Sequence, residues 1–161
     1  MRILVDSLEK EPFHFTRPVR QVRFAPPDTG DYSIEGLEQI LRIERKRPEE
    51  LWICTGHRRE RFRSQLERLG KFPLRLLVVE GTVSDLARVQ PRGESRMCWP
   101  AVASRLMSWS VEFGVPVWFI GTRSAESVQL VEDLLISCWH HWTRTRSLPA
   151  CWSGLWRWHE N

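Results

Sequence analysis

The chain lacks the features that define several broad protein classes. Its longest apolar stretches are only strand-length, so neither a secretory signal nor a membrane-spanning segment is expected. It has four cysteines, Cys54, Cys98, Cys138 and Cys151, and no C-x-x-C pair, which argues against a zinc cluster. Widely spaced cysteines without that framework are the reduced thiols of a cytosolic protein. There are no internal repeats and no low-complexity tracts, which removes solenoid and fibrous architectures. At 161 residues the chain fits one domain with a sound core, and its 42% hydrophobic and 27% charged residues are ordinary for a soluble globular protein.

The formal net charge is only +4, but it is unevenly spread. Between Arg42 and Arg75 eleven Lys or Arg face five Glu, a local excess larger than that of the whole chain. Such clustering suits a polyanion, because each neutralised phosphate releases counterions. Taken alone, the cluster equally describes a solvated arginine-rich helix face.

Residue periodicity outlines an α/β domain. Residues 2 to 6 and 13 to 24 read as strands, and Pro26-Pro27-Asp28-Thr29-Gly30 as a loop. Tyr32 to Ile34 and Ile40 to Arg45 form a hairpin around Glu35-Gly36. Arg47-Pro48-Glu49-Glu50 has proline and acids where a helix begins. Phe62, Leu66 and Leu69 recur at i, i+4 and i+7, a helical stripe. Leu74 to Glu80 is the near-continuous apolar run of a central buried strand. Residues 82 to 96 read as a loop, Trp99 to Phe113 as a helix, Val115 to Ile120 as a strand and Ser124 to Trp142 as a long helix.

The chemistry concentrates in Thr29-Gly30-Asp31-Tyr32 and Arg42-Ile43-Glu44-Arg45-Lys46. In a strand, residues i and i+2 share a face, so Glu44 and Lys46 project together and Arg45 turns away beside Ile43. Two carboxylates can hold a divalent cation through oxygen, and Mg²⁺ favours few protein carboxylates and several waters. A lysine alongside can orient or deprotonate a water and steady developing negative charge. Val5-Asp6-Ser7-Leu8-Glu9 adds another acid pair after a short apolar strand, and Glu80 ends the Leu76 to Val79 run.

The ordered blocks V-D-x-x-E, G-D-Y, E-R-K and L-L-V-V-E-G, with Glu112-Phe113-Gly114-Val115-Pro116-Val117 beyond them, resemble the nuclease domain of the XPF-type structure-specific DNA endonucleases. That domain belongs to the PD-(D/E)xK group. The resemblance covers residues 1 to 142 and implies a restriction-endonuclease-like central mixed sheet flanked by helices. It implies a metal-dependent endonuclease acting on branched or flapped DNA, with Mg²⁺ or Mn²⁺ as cofactor. Asp31, Glu44 and the Arg45 backbone carbonyl would hold the ion, and Lys46 would act on the water. Asp6 and Glu9 would complete the acidic site, Asp6 being a further candidate ligand. Glu80 would reach the metal or orient Lys46, and Arg58, Arg59, Arg61 and Arg63 would supply phosphate contacts, two of the four being the expected number.

Two departures from the family pattern touch DNA placement. Leu8 stands where the family has arginine, and Glu50 where it has aspartate. No counterpart of the family's tandem helix-hairpin-helix domain is expected after residue 142, and residues 143 to 161 read as a tryptophan-rich tail with Trp152, Trp156 and Trp158. A homodimer is expected through Leu130, Leu134, Trp139 and Trp142, with the tail folded over it. The compartment is cytoplasmic or nucleoid-associated, or nuclear in a eukaryote, with no membrane partner. His57 and Tyr32 read as structural residues, and His140 and His141, adjacent on a helix, diverge too far to chelate one ion. Two rivals remain: a nuclease or junction resolvase of the same fold without structure preference, and a non-catalytic DNA-binding scaffold.

Overall fold

The computed structural model describes residues 1–17, 20–24, 29–89 and 98–146. Six strands form one mixed sheet: β1 (Arg2–Asp6), β2 (Arg20–Phe24), β3 (Tyr32–Ile34), β4 (Leu41–Lys46), β5 (Leu74–Val79) and β6 (Val117–Phe119). Their order is β2-β1-β3-β4-β5-β6. The pairs β1/β3 and β3/β4 are antiparallel; β1/β2, β4/β5 and β5/β6 are parallel. The helices are α1 (Pro48–Thr55), α2 (Arg59–Leu69), α3 (Val83–Arg88), α4 (Trp99–Phe113) and α5 (Ala125–Thr145). The α/β architecture and mixed sheet expected from the sequence are observed.

The sheet carries a core on each face. On one, Ile3, Tyr32, Ile43, Leu76 and Val78 pack against Val128, Val131 and Leu135 of α5. On the other, Leu77 and Val79 meet Leu51 of α1, Phe62 and Leu66 of α2, Leu86 of α3 and Leu106 of α4. Both faces of β5 are therefore covered, which explains why Leu76 to Val79 are apolar without alternation. The stripe at Phe62, Leu66 and Leu69 is the buried face of α2.

Three expectations change. The strand expected over 13 to 24 is confined to β2. Residues 13–17 are pinned instead by side-chain acceptors: the Phe13 amide donates to the Tyr32 hydroxyl at 2.9 Å, and the Thr16 and Arg17 amides donate to the buried Glu132 carboxylate. The loop expected over 82 to 96 contains α3. Its first turn is closed by a capping box in which the Thr82 and Asp85 side chains each accept the other's backbone amide. Helix α5 starts after Ser124, as expected, but runs to Thr145, past the boundary expected at residue 142. The tail tryptophans Trp152, Trp156 and Trp158 lie outside the described residues. Among the described residues no helix is long and apolar enough to cross a membrane.

Candidate active site

Strand β4 sorts its last three residues between the two faces of the sheet. Glu44 and Lys46 face α1 and α2, while Arg45 points to the side that carries Phe13 and α5. Asp31 reaches the same side as Glu44 through a turn at Gly30, whose φ of 95° a residue with a Cβ rarely adopts. A Cβ at Gly30 would also sit 2.9 Å from the Arg42 side chain, so the close approach needs glycine. Backbone bonds fix the register: the Asp31 amide donates to the Ile43 carbonyl at 2.8 Å and the Asp6 amide to the Asp31 carbonyl at 2.8 Å.

Asp31 Oδ2 accepts the Arg45 amide at 2.6 Å. Lys46 Nζ pairs with Glu44 Oε1 and donates to the Arg45 carbonyl at 3.2 Å. Glu44 is 1% exposed, and its Oε2 has no hydrogen-bond partner among the described residues. An ionised oxygen left this way is costly unless a cation or a proton answers it. Burial and then the Glu44 charge push the Asp31 carboxyl well above the usual carboxylate range. Burial by itself would depress the Lys46 ammonium. The charges of Glu44 and Asp31 outweigh it and hold the ammonium protonated beyond its ordinary range. Lys46 is thus a donor here, suited to orienting a water and stabilising charge rather than to removing a proton.

On the opposite face the ions are matched. The Arg45 guanidinium lies between Glu9 and Glu80: Nη2 and Nε donate to the two Glu9 oxygens at 2.9 and 3.2 Å, and Nη1 pairs with Glu80 Oε2. Arg123 donates to both Glu80 oxygens at 2.8 and 3.0 Å. Burial works against the Glu9 charge, but the Arg45 hydrogen bond and the neighbouring positive charges prevail and hold its carboxyl below 4.5. Glu80 therefore does not stand beside Lys46; its side chain is on the other face, and only its amide reaches the Lys46 carbonyl, at 2.9 Å. Arg123 had no sequence signal, since it follows β6 in a short polar turn without motif or period.

Asp6, Glu9, Asp31, Arg45, Lys46 and Glu50 line a cleft of about 360 Å³. A second cleft of about 240 Å³ continues from Asp31, Glu44 and Lys46 past Cys54 to Arg58, Arg61 and Gln65. Asp6 Oδ1 accepts the Leu8 amide at 2.9 Å, an Asx-type turn. Glu50 accepts the Arg47 amide at 2.7 Å, closing the first turn of α1. The four arginines divide. Arg58 and Arg61 border the acidic cleft, whereas Arg59 pairs with Glu60 and Arg63 with Glu112, both facing a groove beside α4. Tyr32 is fully buried, stacked on Phe13, and lines neither cleft. His57 is exposed at the turn before α2. Leu134, Trp139 and Trp142 pack against the chain's own core, while Leu130 is 48% exposed.

Among the described residues, no three His, Cys, Asp or Glu side chains form a metal-binding group. The donors present are nonetheless those a hard divalent cation takes: two carboxylates, Asp31 and Glu44, beside the Arg45 carbonyl, with one carboxylate oxygen buried and unpartnered. Mg²⁺ needs no more protein than this when water and phosphate oxygens fill the remaining positions.

An acid pair and a lysine at the strand ends of a helix-flanked mixed sheet define the class as nuclease-fold. The ERCC4 domain family matches residues 5–134. The chain belongs to that family. Among solved structures it is similar to XPF from Aeropyrum pernix, with TM-score 0.61 and 18% identity over 84% of this chain and 60% of that one. XPF from Aeropyrum pernix in complex with DNA aligns with TM-score 0.57 and 20% identity over 83% of this chain and 62% of that one. The chain thus spans about three fifths of the length of these structures, and at this identity the likeness establishes the XPF-type fold. No curated protein matches the chain.

Proposed function

We propose that the protein is a metal-dependent endonuclease that hydrolyses phosphodiester bonds in DNA, with branched or flapped DNA as its preferred substrate. The observation that carries this reading is the convergence of Asp31, Glu44 and Lys46 around a buried carboxylate oxygen without a partner, beside a cleft edged by Arg58 and Arg61. Asp31, Glu44 and the Arg45 carbonyl would hold Mg²⁺ or Mn²⁺, which would supply Lewis acidity at the phosphate and lower the pKa of a bound water. Lys46 orients the attacking water and stabilises the charge that builds on the phosphoryl oxygens as one P–O ester bond breaks. Arg58 and Arg61 hold the flanking phosphates without reading sequence. Asp6 borders the cleft and shapes its rim.

The test is cleavage of flap, splayed-arm, junction and plain duplex DNA with and without Mg²⁺. Faster cutting of the branched substrates is expected, and none in chelator. Equal cutting of all four would leave a nuclease without structure preference, and no cutting of any would leave a DNA-binding scaffold. We further infer a homodimer built on α5, on which Leu130 is the exposed large apolar residue among the described ones. Light scattering of a chain truncated after Arg146 is expected to give a dimer, and a monomer at working concentrations would refute it.

A further inference from the structure

The ion cluster behind β4 was given no role in the reaction just described, although Glu9 and Arg45 border the cleft of Asp31 and Lys46, and it grips the residue on which that reaction's groups hang. Arg45 serves both faces. Its amide holds Asp31 Oδ2 at 2.6 Å and its carbonyl accepts Lys46 Nζ at 3.2 Å, while its guanidinium, 4% exposed, is buried on the other side. Glu9 takes two of its donors, and Glu80 a third. Arg123, from the turn between β6 and α5, closes the chain of charges by holding both Glu80 oxygens and donating to the Glu11 carbonyl at 2.8 Å. The Phe13 ring contacts both guanidinium groups, with its centroid 5.7 Å from Arg45 Cζ and 5.2 Å from Arg123 Cζ.

A buried ion cluster is a poor stabiliser, because desolvation offsets most of the attraction; what it supplies is a fixed geometry. The geometry fixed here is that of one peptide unit on either side of Arg45. Both oxygens of Glu9 are engaged, Oε1 also accepting the Glu11 amide at 2.9 Å, so Glu9 is committed to this cluster.

We propose that Glu9, Glu80 and Arg123 are positioning residues for the DNA-cleaving site, acting through Arg45 to aim the peptide groups that hold Asp31 and Lys46. Glu9 borders the cleft of Asp31, and both of its oxygens are given to this cluster. The inference rests on the proposed nuclease function and has a readout independent of it.

In Arg123→Gln, kcat should fall roughly tenfold, the scale of losing a group that orients a ligand, with KM for DNA unchanged. Arg123→Lys should recover most of the rate. By NMR, the Arg45 amide proton should be downfield and slow to exchange in the wild type. It should move upfield and exchange faster in Arg123→Gln, while the β5 amides stay in place. Should Arg123→Gln not fold, Glu80→Gln, which keeps the side-chain shape, carries the same two readings. An unchanged kcat with an unmoved Arg45 amide overturns the proposal, as does a rate loss matched by an equal loss of DNA affinity. A wild type that cuts no DNA sinks the nuclease reading, and the Arg45 resonance still decides the positioning role.

Discussion

Two groups of ions sit on opposite faces of β4, anchored on neighbouring residues of that strand, and they are built on opposite principles. Behind the strand, Glu9, Glu80, Arg45 and Arg123 balance two acids with two bases, and all four carboxylate oxygens accept a hydrogen bond or ion pair. In front, Asp31 and Glu44 share a single ammonium, one oxygen is orphaned, and Asp31 is pushed towards its neutral form. A fold under selection for stability alone would not leave the buried Glu44 and the half-buried Asp31 under-compensated when a matched set lies across the strand. The imbalance has the sign that draws in a cation, so the strained face is the one to assign to chemistry and the matched face to support.

The hardest blow to that contrast is Asp31→Asn, which keeps shape and removes one charge from the front face. Cleavage of every DNA substrate should be lost. Titrating Mg²⁺ should raise the melting temperature of the wild type through selective binding to the folded state, and should not raise that of the variant. Activity near the wild-type level in Asp31→Asn would remove the metal from the front face.

Lys46→Ala comes next. Because Lys46 is held protonated by its acidic neighbours, its loss should lower the rate by roughly 10²-fold, the scale of one positioned electrostatic or proton-handling group. DNA affinity should hardly change, as one phosphate contact is a small part of binding. Single-turnover cutting beside a binding titration separates the two, and parallel losses would make Lys46 an ordinary phosphate contact.

A smaller effect tests the division of the arginines. Replacing Arg58 and Arg61 by Gln should flatten the dependence of log affinity on log salt by about one to two units, since each phosphate contact contributes about one. Replacing Arg59 and Arg63, paired with Glu60 and Glu112, should flatten it less. Equal changes from both pairs would show that DNA wraps both sides of α2.

The front face can be read from residue order because its logic is local. Alternation along Leu41–Lys46 alone separates Glu44 and Lys46 from Arg45, and the Gly30 turn precedes its acid directly. The back face cannot, because its members are far apart in the chain. Glu9 lies 36 residues from Arg45, and Arg123 lies 43 from Glu80. Which carboxylate an arginine chooses depends on strand order, and the order β1-β3-β4-β5 is a tertiary fact. Glu80 stands away from Lys46 for the same reason: its place depends on a parallel register in which it shares the face of Arg45. Helix α3 was different. Thr82-Val83-Ser84-Asp85 is a capping-box pattern that announces it, masked by Pro91 and Gly93 further on. Segment 13–17 shows the converse, where strand-like alternation lost to better acceptors offered by Tyr32 and Glu132.

The finest test compares stabilities rather than rates, and the two faces should respond with opposite signs. Asp31 has a folded-state pKa above its unfolded value of 3.8, so folding is disfavoured once the carboxyl must ionise, and that cost is absent below 3.8 and grows as pH rises through the raised value. In chelator at neutral pH, Asp31→Asn should therefore be more stable than the wild type, by about 1 kcal/mol, the common gain from relieving a strained functional site. Glu9 has a folded-state pKa below 4.5, so its charge contributes stability at neutral pH that fades as pH falls through the folded value. Glu9→Gln should cost about 1.5–3 kcal/mol at neutral pH, the range for a hydrogen bond to a charged group, and less under acid. Urea denaturation of the three proteins at neutral and acidic pH reads both signs. If Asp31→Asn loses stability in chelator while Glu9→Gln loses none, the front face is the matched one and the contrast between the two sides of β4 is reversed.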